Sequence, residues 1–460
     1  MNFVASDLGA SGTRYVSDSG KINVLPNNVV VLETGAVTNL EPNAEDIESN
    51  LELTIVKDGA SQYFPVTLLA GKMAERYSSI FETPDINRHK HDQRINYWSA
   101  IMSVAVSKIK YGLDDDLLFV LDVPPIELVP SRKAFKEALV GSYTVTFPKY
   151  MGGTEVKFNI VDVQAYEESV MAMASFFFNM AGVPKEENKD FMRGKVLSLD
   201  IGASTSDLAV IQDGKFLDYT GRTIKTGGNV ARGTFINLIT AQEGYDLPEA
   251  DAEKAIADGR IAVGNGYKEV GDLVNEAKKE LAGQLTSSLS TYFQQIRIPI
   301  QQIRAIVVSG GGSMAGQYIN NDGDVIVTSE PLSKFVTEAL QAICPGVVAV
   351  PYGEDARFAN VKGLFIRSKL LLAKLLVARQ QAEAPVQKPV QATATPVQQT
   401  VQTPVQPVTP VATQQAVQPS VTPINVQPVQ QPAVQQTAQP VAQTVQTVQP
   451  TVVPPVTPVI

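Results

Sequence analysis

"LSLDIGASTSDLAVIQDGK", residues 197–215, ends an apolar run with an aspartate, a glycine and a row of small hydroxyls. Nearly the same phrase, "VASDLGASGTRYVSDSGK", already stands at residues 4–21. Asp7, Gly9 and Ser11 of the earlier copy match Asp200, Gly202 and Ser204 of the later one at a constant offset. Each copy reads as strand, tight turn, strand, closing on an Asp-Ser-Gly or Asp-Gly turn. A phrase repeated half a large chain apart implies two related halves.

The repeated phrase has the chemistry to hold a phosphate. At the end of a strand, Gly9 and Gly202 let the backbone turn sharply and approach a ligand with no Cβ in the way. Ala10, Ser11, Gly12 and Thr13 follow in the first copy, and Ala203, Ser204, Thr205 and Ser206 in the second. They offer backbone N–H groups and hydroxyls to phosphate oxygens. Hydrogen bonds to such charged acceptors are worth roughly 1.5 to 3 kcal/mol each. Asp7 and Asp200 suit Mg²⁺, directly or through its waters, and so are candidates both as metal ligands and as catalytic groups. One Asp-x-Gly alone would be an ordinary strand-ending turn. Two copies with the hydroxyl row kept in both favour a clamp on a nucleotide tail.

Two further glycine signals follow. Gly227 and Gly228 open the helical pattern "TGGNVARGTFINLIT", and "IVVSGGGSMAG" places Gly310, Gly311, Gly312 and Ser313 after a strand. The triple glycine would admit an adenosine against the backbone. Gly310, Gly312 and Ala315, with Glu330 further on, also mimic a dinucleotide-binding fingerprint.

Composition separates a body from a tail. From Gln381 onward the chain is almost entirely Gln, Pro, Val, Thr and Ala, with fifteen of the 29 prolines and only Glu383 and Lys388 charged. Such a segment cannot bury enough apolar surface to offset its conformational entropy, so 381–460 is expected to be disordered. The body of about 380 residues exceeds what one core usually organises, which implies at least two domains. The tail's two charges cancel, so the net charge of −9 belongs to the body and argues against direct nucleic-acid binding. One cysteine, Cys344, excludes an internal disulfide, and two histidines, His89 and His91, supply no zinc ligand set. Their motif, "RHKHD", reads as a solvated polar loop. The N-terminus lacks a secretory signal pattern. "GLFIRSKLLLAKLLVAR", 363–379, carries four cations and is too short to span a bilayer; it reads as an amphipathic helix packed on the body.

The order of elements is α/β twice over. Strands are expected at 2–8, 13–17 and 28–33, a hairpin at 51–69, a helix at 92–112, the strand "LLFVLDVPP", a helix near 131–140 and a strand around 157–163. "AYEESVMAMASFFFNMAG" reads as an apolar helix ending at Gly182. After the second copy of the phrase, 245–290 reads as helical, "RAIVVSGGG" as a strand entering a helix, and "DVIVTS" as a strand before the helix "EPLSKFVTEALQAI".

These elements in this order resemble the actin, sugar kinase and heat-shock chaperone superfamily of ATPases, and within it the bacterial plasmid-segregating actins of the ParM type. "RFANVKGLF" adds to the likeness: Ala359, Asn360 and Gly363 fit the family's Ala-Asn-x-x-Gly pattern, and "LFVLDVPP" fits its strand leading to a Val-Pro turn. The resemblance implies an actin-like (ribonuclease H-like) fold with a duplicated βββαβα core and a nucleotide cleft between two domains. These are 1–165, rejoined by 350–380, and 166–349. It implies ATP or ADP with Mg²⁺ as cofactors. On the helix after the first domain's last strand the family carries a Glu or Gln that positions the attacking water. "EESVMA" nominates Glu168, whereas an alignment to eukaryotic actin would choose Gln164. By this resemblance the chain is a cytoplasmic ATPase forming filaments with itself, and it moves plasmid or similar DNA through a basic DNA-binding adaptor. A sugar-kinase activity would instead need an aspartate base, for which Asp162 stands nearby. A chaperone would need a folded β-rich substrate domain in place of the tail.

Overall fold

The apolar strands assemble into two main sheets, each built around one copy of the repeated phrase. A computed structural model describes residues 1–10, 12–33, 50–75, 82–85, 87–149, 153–244, 246–264, 266–319 and 325–383. The chain divides into Met1–Val386 and Gln387–Ile460. The second unit, and with it the expected disordered tail from residue 384, lies outside the described residues, as does Ser11.

The first sheet contains β1 (Asn2–Gly9), β2 (Gly12–Ser17), β3 (Ile22–Leu25), β4 (Val29–Leu32), β5 (Asn50–Lys57), β6 (Val66–Gly71), β7 (Asp116–Val123), β8 (Gly141–Phe147) and β9 (Thr154–Glu167). Their spatial order is β3-β2-β1-β7-β9-β8-β5-β6-β4. The second contains β10 (Lys195–Ile201), β11 (Ser206–Gln212), β12 (Lys215–Phe216), β13 (Arg222–Ile224), β16 (Ile303–Ser309) and β19 (Val348–Pro351), in the order β12-β11-β10-β16-β19 with β13 also on β11. Two small hairpins, β14 (Arg260–Val263) with β15 (Gly266–Glu269) and β17 (Gln317–Ile319) with β18 (Val325–Val327), stand apart. The five strands β3-β2-β1-β7-β9 and β12-β11-β10-β16-β19 repeat one topology, antiparallel at the hairpin and parallel beyond it. The duplication legible in the phrase thus extends to the whole core of each half.

The helices are α1 (Lys72–Glu75), α2 (Arg94–Tyr111), α3 (Leu128–Leu139), α4 (Glu168–Phe177), α5 (Asn229–Glu243), α6 (Glu249–Asp258), α7 (Gly271–Ile296), α8 (Leu332–Gln341) and α9 (Ala359–Glu383). Strands β1 and β7 are apolar on both faces because both are covered, as parallel strands require. Leu8, Leu117, Phe119 and Leu121 pack with Ile101 and Val104 of α2, while Phe3, Ala5, Leu118 and Val120 pack with Val361 and Leu364 of α9. In the second half Leu199, Val308 and Leu208 pack with Phe235, Leu281 and Val336 from α5, α7 and α8.

Helix α4 is apolar around its circumference because it is buried on more than one side. Met171 packs with the first sheet and α9, while Ala172, Met173 and Phe176 pack with Val196, Ala209 and Val307 of the second. A Cβ on Gly363 would run into the Met171 carbonyl, so the glycine of the Ala-Asn-x-x-Gly pattern is what lets α9 lie against α4. Ser175 Oγ donates to the Ala359 carbonyl at 2.7 Å across the same crossing.

Several expected boundaries move. Helix α4 begins at Glu168, since Ala165–Glu167 continue β9, and it ends at Phe177, where extended Phe178 bridges to Pro184. The expected helix over 245–290 is broken by β14 and β15. Gly259 stops α6 in the left-handed region at φ 68°, and Ile261 and Val263 then favour a strand. Strands β3, β8 and β19 were not anticipated. Helix α9 runs to Glu383, past the expected boundary at 381.

Candidate active site

Each hairpin turn follows directly from its sequence. Gly9 pairs with Gly12, closing the first over two residues, and Ile201 pairs with Ser206 in the second, where Gly202 N–H donates to the Thr205 carbonyl at 2.8 Å. Side chains alternate along a strand, so the position two before each turn glycine shares a face with its cross-strand partner. Asp7 lies opposite Arg14, with Nη1 3.5 Å from Oδ2, and Asp200 lies opposite Asp207. On the parallel side Asp7 neighbours Asp122 of β7, and Asp200 neighbours Ser309 of β16.

Two glycine segments converge on the second turn. Gly228 N–H donates to the Gly202 carbonyl at 2.9 Å, Asn229 N–H to the Ala203 carbonyl at 2.6 Å, and Asn229 Nδ2 to Ser204 Oγ at 2.8 Å. A Cβ on Gly227 would stand 2.7 Å from Thr205 N, and one on Gly312 would stand 2.5 Å from the Gly202 carbonyl. Gly310, at φ 84°, sits so tightly on Asp200 and Ile201 that a Cβ would overlap the Asp200 carboxylate. These glycines are required by backbone meeting backbone. Ser313 closes the last turn by donating Oγ to the Gly310 carbonyl at 2.7 Å, and Gly311 lies beside Arg14 and Arg357.

Carboxylates gather where the turns meet. Asp7, Asp122, Asp200 and Asp207 are all buried, at 5%, 0%, 5% and 4% exposure, with Glu168 at the start of α4. Burial raises the Asp7 pKa, against the opposing pull of Arg14 and Lys90. Burial, then Glu168, raises Asp200 to about 7. Asp122 rises well above the usual range through burial and then Asp7, and Asp207 does so through burial and then Glu168. Asn360 Nδ2 donates to Asp200 Oδ2 at 2.8 Å, while among the described residues neither Asp122 oxygen has a hydrogen-bond partner. Among the described residues no three His, Cys, Asp or Glu side chains converge to hold a metal unaided. This many acids with elevated pKa values fits a divalent cation held by one or two carboxylates together with ligand oxygens and water, the usual habit of Mg²⁺.

The sequence candidates divide. Asp7, Gly9, Gly12, Gly202, Ala203, Ser204, Thr205, Gly227, Gly228, Gly310, Gly311, Gly312 and Glu168 lie on or beside these turns, and Ala10 is exposed at the first. Thr13 is turned inward: its hydroxyl donates to Asn27 Oδ1 at 2.8 Å and is fully buried, because it alternates with Asp7's partner Arg14. Ser206 likewise spends its hydroxyl on the Thr226 carbonyl. Gln164 does not join the acids. Its Nε2 donates to Asp162 Oδ2 at 2.7 Å, and Asp162 pairs with Lys136 at 2.6 Å, so the Gln164 amide is engaged two residues before Tyr166, the β9 neighbour of Asp122. The dinucleotide fingerprint fails as well, since the glycines are followed by a short 3₁₀ turn, Gly311–Met314, with no helix for a pyrophosphate to cap.

Lys90, read as part of a solvated loop, is instead 15% exposed and pairs with Glu168 Oε1 at 2.6 Å. Burial opposes its charge, but Glu168, Asp122 and Asp7 outweigh burial and hold its pKa above the usual value. Arg14, Asp122 and Asp207 were also missed. The constant offset between the two phrases aligns Arg14 with Asp207, and that alternation was the available signal for both.

Residues 198–317 match the family described as the C-terminal domain of archaeal MreB-like actin homologues. No curated protein matches the chain by sequence. Among solved structures, the actin-like protein Alp7A is 18% identical with a TM-score of 0.63, covering 83% of this chain and 99% of that one. The archaeal actin homologue Ta0583 is 18% identical with a TM-score of 0.58, covering 81% and 100%. A Bacillus thuringiensis ParM solved with ADP is 16% identical with a TM-score of 0.56, covering 81% and 99%. This chain therefore has the fold of the actin homologues, with its three glycine turns and buried carboxylates gathered at one place in that fold.

Proposed function

We propose that this chain is an actin-like ATPase that binds Mg-ATP between two lobes, 1–165 with 350–380 and 166–349, and assembles into filaments whose disassembly follows hydrolysis. The observation that carries the reading is the meeting of Asp7, Asp200 and Glu168 beside three glycine turns packed backbone to backbone. Relatives of the same fold were solved with ADP or AMPPNP, which supports a nucleotide as the ligand.

In this reading the turns at Gly9–Gly12 and Gly202–Thr205 present N–H groups to the phosphates, and Gly311, where a Cβ would come no closer than 3.7 Å to its neighbours, leaves room for the nucleoside. Asp7 and Asp200 would hold Mg²⁺, which would supply screening of phosphate charge. Glu168, one residue beyond β9, orients the attacking water. Helices α4 and α9, locked at Gly363, link closure of the lobes to subunit contacts. Cargo would be plasmid or similar DNA, reached through a basic adaptor, because an acidic body does not attract phosphates itself. The site is cytoplasmic in this account, and no helix among the described residues is long and apolar enough to cross a membrane. The sugar-kinase alternative is less supported, since its candidate base Asp162 is already paired with Lys136 and accepts from Gln164.

ATP-dependent pelleting tests this. Sedimentation and light scattering that rise with Mg-ATP and fall as phosphate is released support it; sugar-stimulated ADP release without pelleting contradicts it.

A further inference from the structure

Lys90 belongs to neither hairpin, yet its turn is fastened from two sides. Its N–H donates to Glu127 Oε2 at 2.7 Å, and its carbonyl accepts from Asn96 Nδ2 of α2 at 2.8 Å. On either side of it, His89 Nδ1 lies 3.2 Å from Glu127 Oε1, and His91 Nδ1 lies 2.8 Å from Ser131 Oγ of α3. A long flexible side chain is thereby aimed inward and ends 2.6 Å from Glu168 Oε1. A buried ion pair is a poor way to gain stability, since apolar residues of similar volume often do as well. A fastened, desolvated lysine beside the water-orienting carboxylate has another use. The group that water attacks must lie next to Glu168, so it also lies next to Lys90.

We infer that Lys90 reads the terminal phosphate, distinguishing nucleoside triphosphate from diphosphate, and that Glu168 is its resting partner when that phosphate is absent. The inference rests on the ATPase reading above. With a diphosphate bound, Lys90 neutralises Glu168. With a triphosphate bound, its charge is shared with the terminal phosphoryl group, and Glu168 is freed to hold water.

The test uses the full chain, Mg-ATP and Mg-ADP, with affinities measured by displacement of a fluorescent nucleotide. Lys90→Ala should lower the ATP-over-ADP preference about tenfold or more, while ADP affinity moves less than about threefold. Glu168→Gln, which frees Lys90 from its resting partner, should show at least the parent preference although it turns over slowly, and Lys90→Arg should keep part of it. Lys90→Ala leaves Glu168 buried and uncompensated and so could fold poorly. The double variant Lys90→Ala/Glu168→Gln removes both charges and should show the same lost preference. Equal weakening toward both nucleotides, or a double variant with the parent preference, overturns the inference and leaves Lys90 a structural counterion. A parent chain that binds neither nucleotide overturns the ATPase reading and this inference together.

Discussion

The two hairpins share a backbone and differ in charge. Asp7 faces Arg14, whereas at the same place in the second copy Asp200 faces Asp207. The first hairpin brings its own counter-charge; the second adds a carboxylate and leans on Asn360 and whatever cation enters. The turns differ in the same sense. The first is open enough that a Cβ on Gly9 would chiefly displace the Arg14 guanidinium, while the second is wedged against Gly228, Gly310 and Gly312. Duplication therefore preserved the cradle and divided the roles: a self-neutralised side and an acidic side packed against further glycines.

The largest expected effect is on turnover. Glu168→Ala should cut hydrolysis by roughly 10² to 10⁴ without weakening nucleotide binding, leaving filaments that persist. Gln164→Ala should hydrolyse like the parent, because its amide is turned to Asp162. Phosphate release and light scattering on the same samples decide; a slow Gln164 variant beside a normal Glu168 variant would exchange their roles.

Next come the glycines, which break the comparison if the turns are equivalent. Gly310→Ala must relieve backbone overlap at positive φ and should cost several kcal/mol or prevent folding, on the order of the largest single-residue effects. Gly9→Ala meets a movable guanidinium first and should cost about 1 to 2 kcal/mol. Denaturant midpoints of the two variants should differ accordingly, and equal losses would refute the asymmetry.

The pH dependence sharpens it. Asp200 is raised from 3.8 to about 7, so the stability it contributes is full below pH 4 and is lost as pH rises through 7. Without nucleotide, thermal midpoints should fall across that window. Asp207→Asn should flatten the fall, since it removes another raised acid, and Arg14→Gln should steepen it by releasing Asp7. A midpoint that rises from pH 4 to 7 would contradict the assignment. The smallest effect is expected from removing residues 384–460, which should leave nucleotide-driven pelleting within about twofold, because a segment this polar and nearly uncharged supplies no site. Loss of assembly with retained ATP binding would make the segment part of the polymer.

What could be read in the sequence was local. The strand, glycine and aspartate of each hairpin are contiguous, so Asp7 and Asp200 were legible, as was the Ala359, Asn360, Gly363 pattern. Lys90 was hidden, because "RHKHD" is polar in sequence and its burial comes from Glu127, Asn96 and Glu168 elsewhere in the chain. Asp122 sat inside an apolar strand, where a single acid carries no periodic signal, while Asp207 was legible only by aligning it with Arg14 across the two copies. The sequence pattern did not show that β9 continues through Glu167, with Gln164 within the strand and Glu168 past its end. The β14–β15 hairpin was lost because alanine-rich flanks extend the helical pattern across it.

The clamp is tested most directly by calorimetric titration of Mg-ATP into the parent chain and into Asp7→Ala and Asp200→Ala, each checked for folding by circular dichroism. If the two hairpins grip one Mg-nucleotide, both folded variants lose measurable binding, and with it hydrolysis and pelleting. Undiminished Mg-ATP affinity in both would contradict the account.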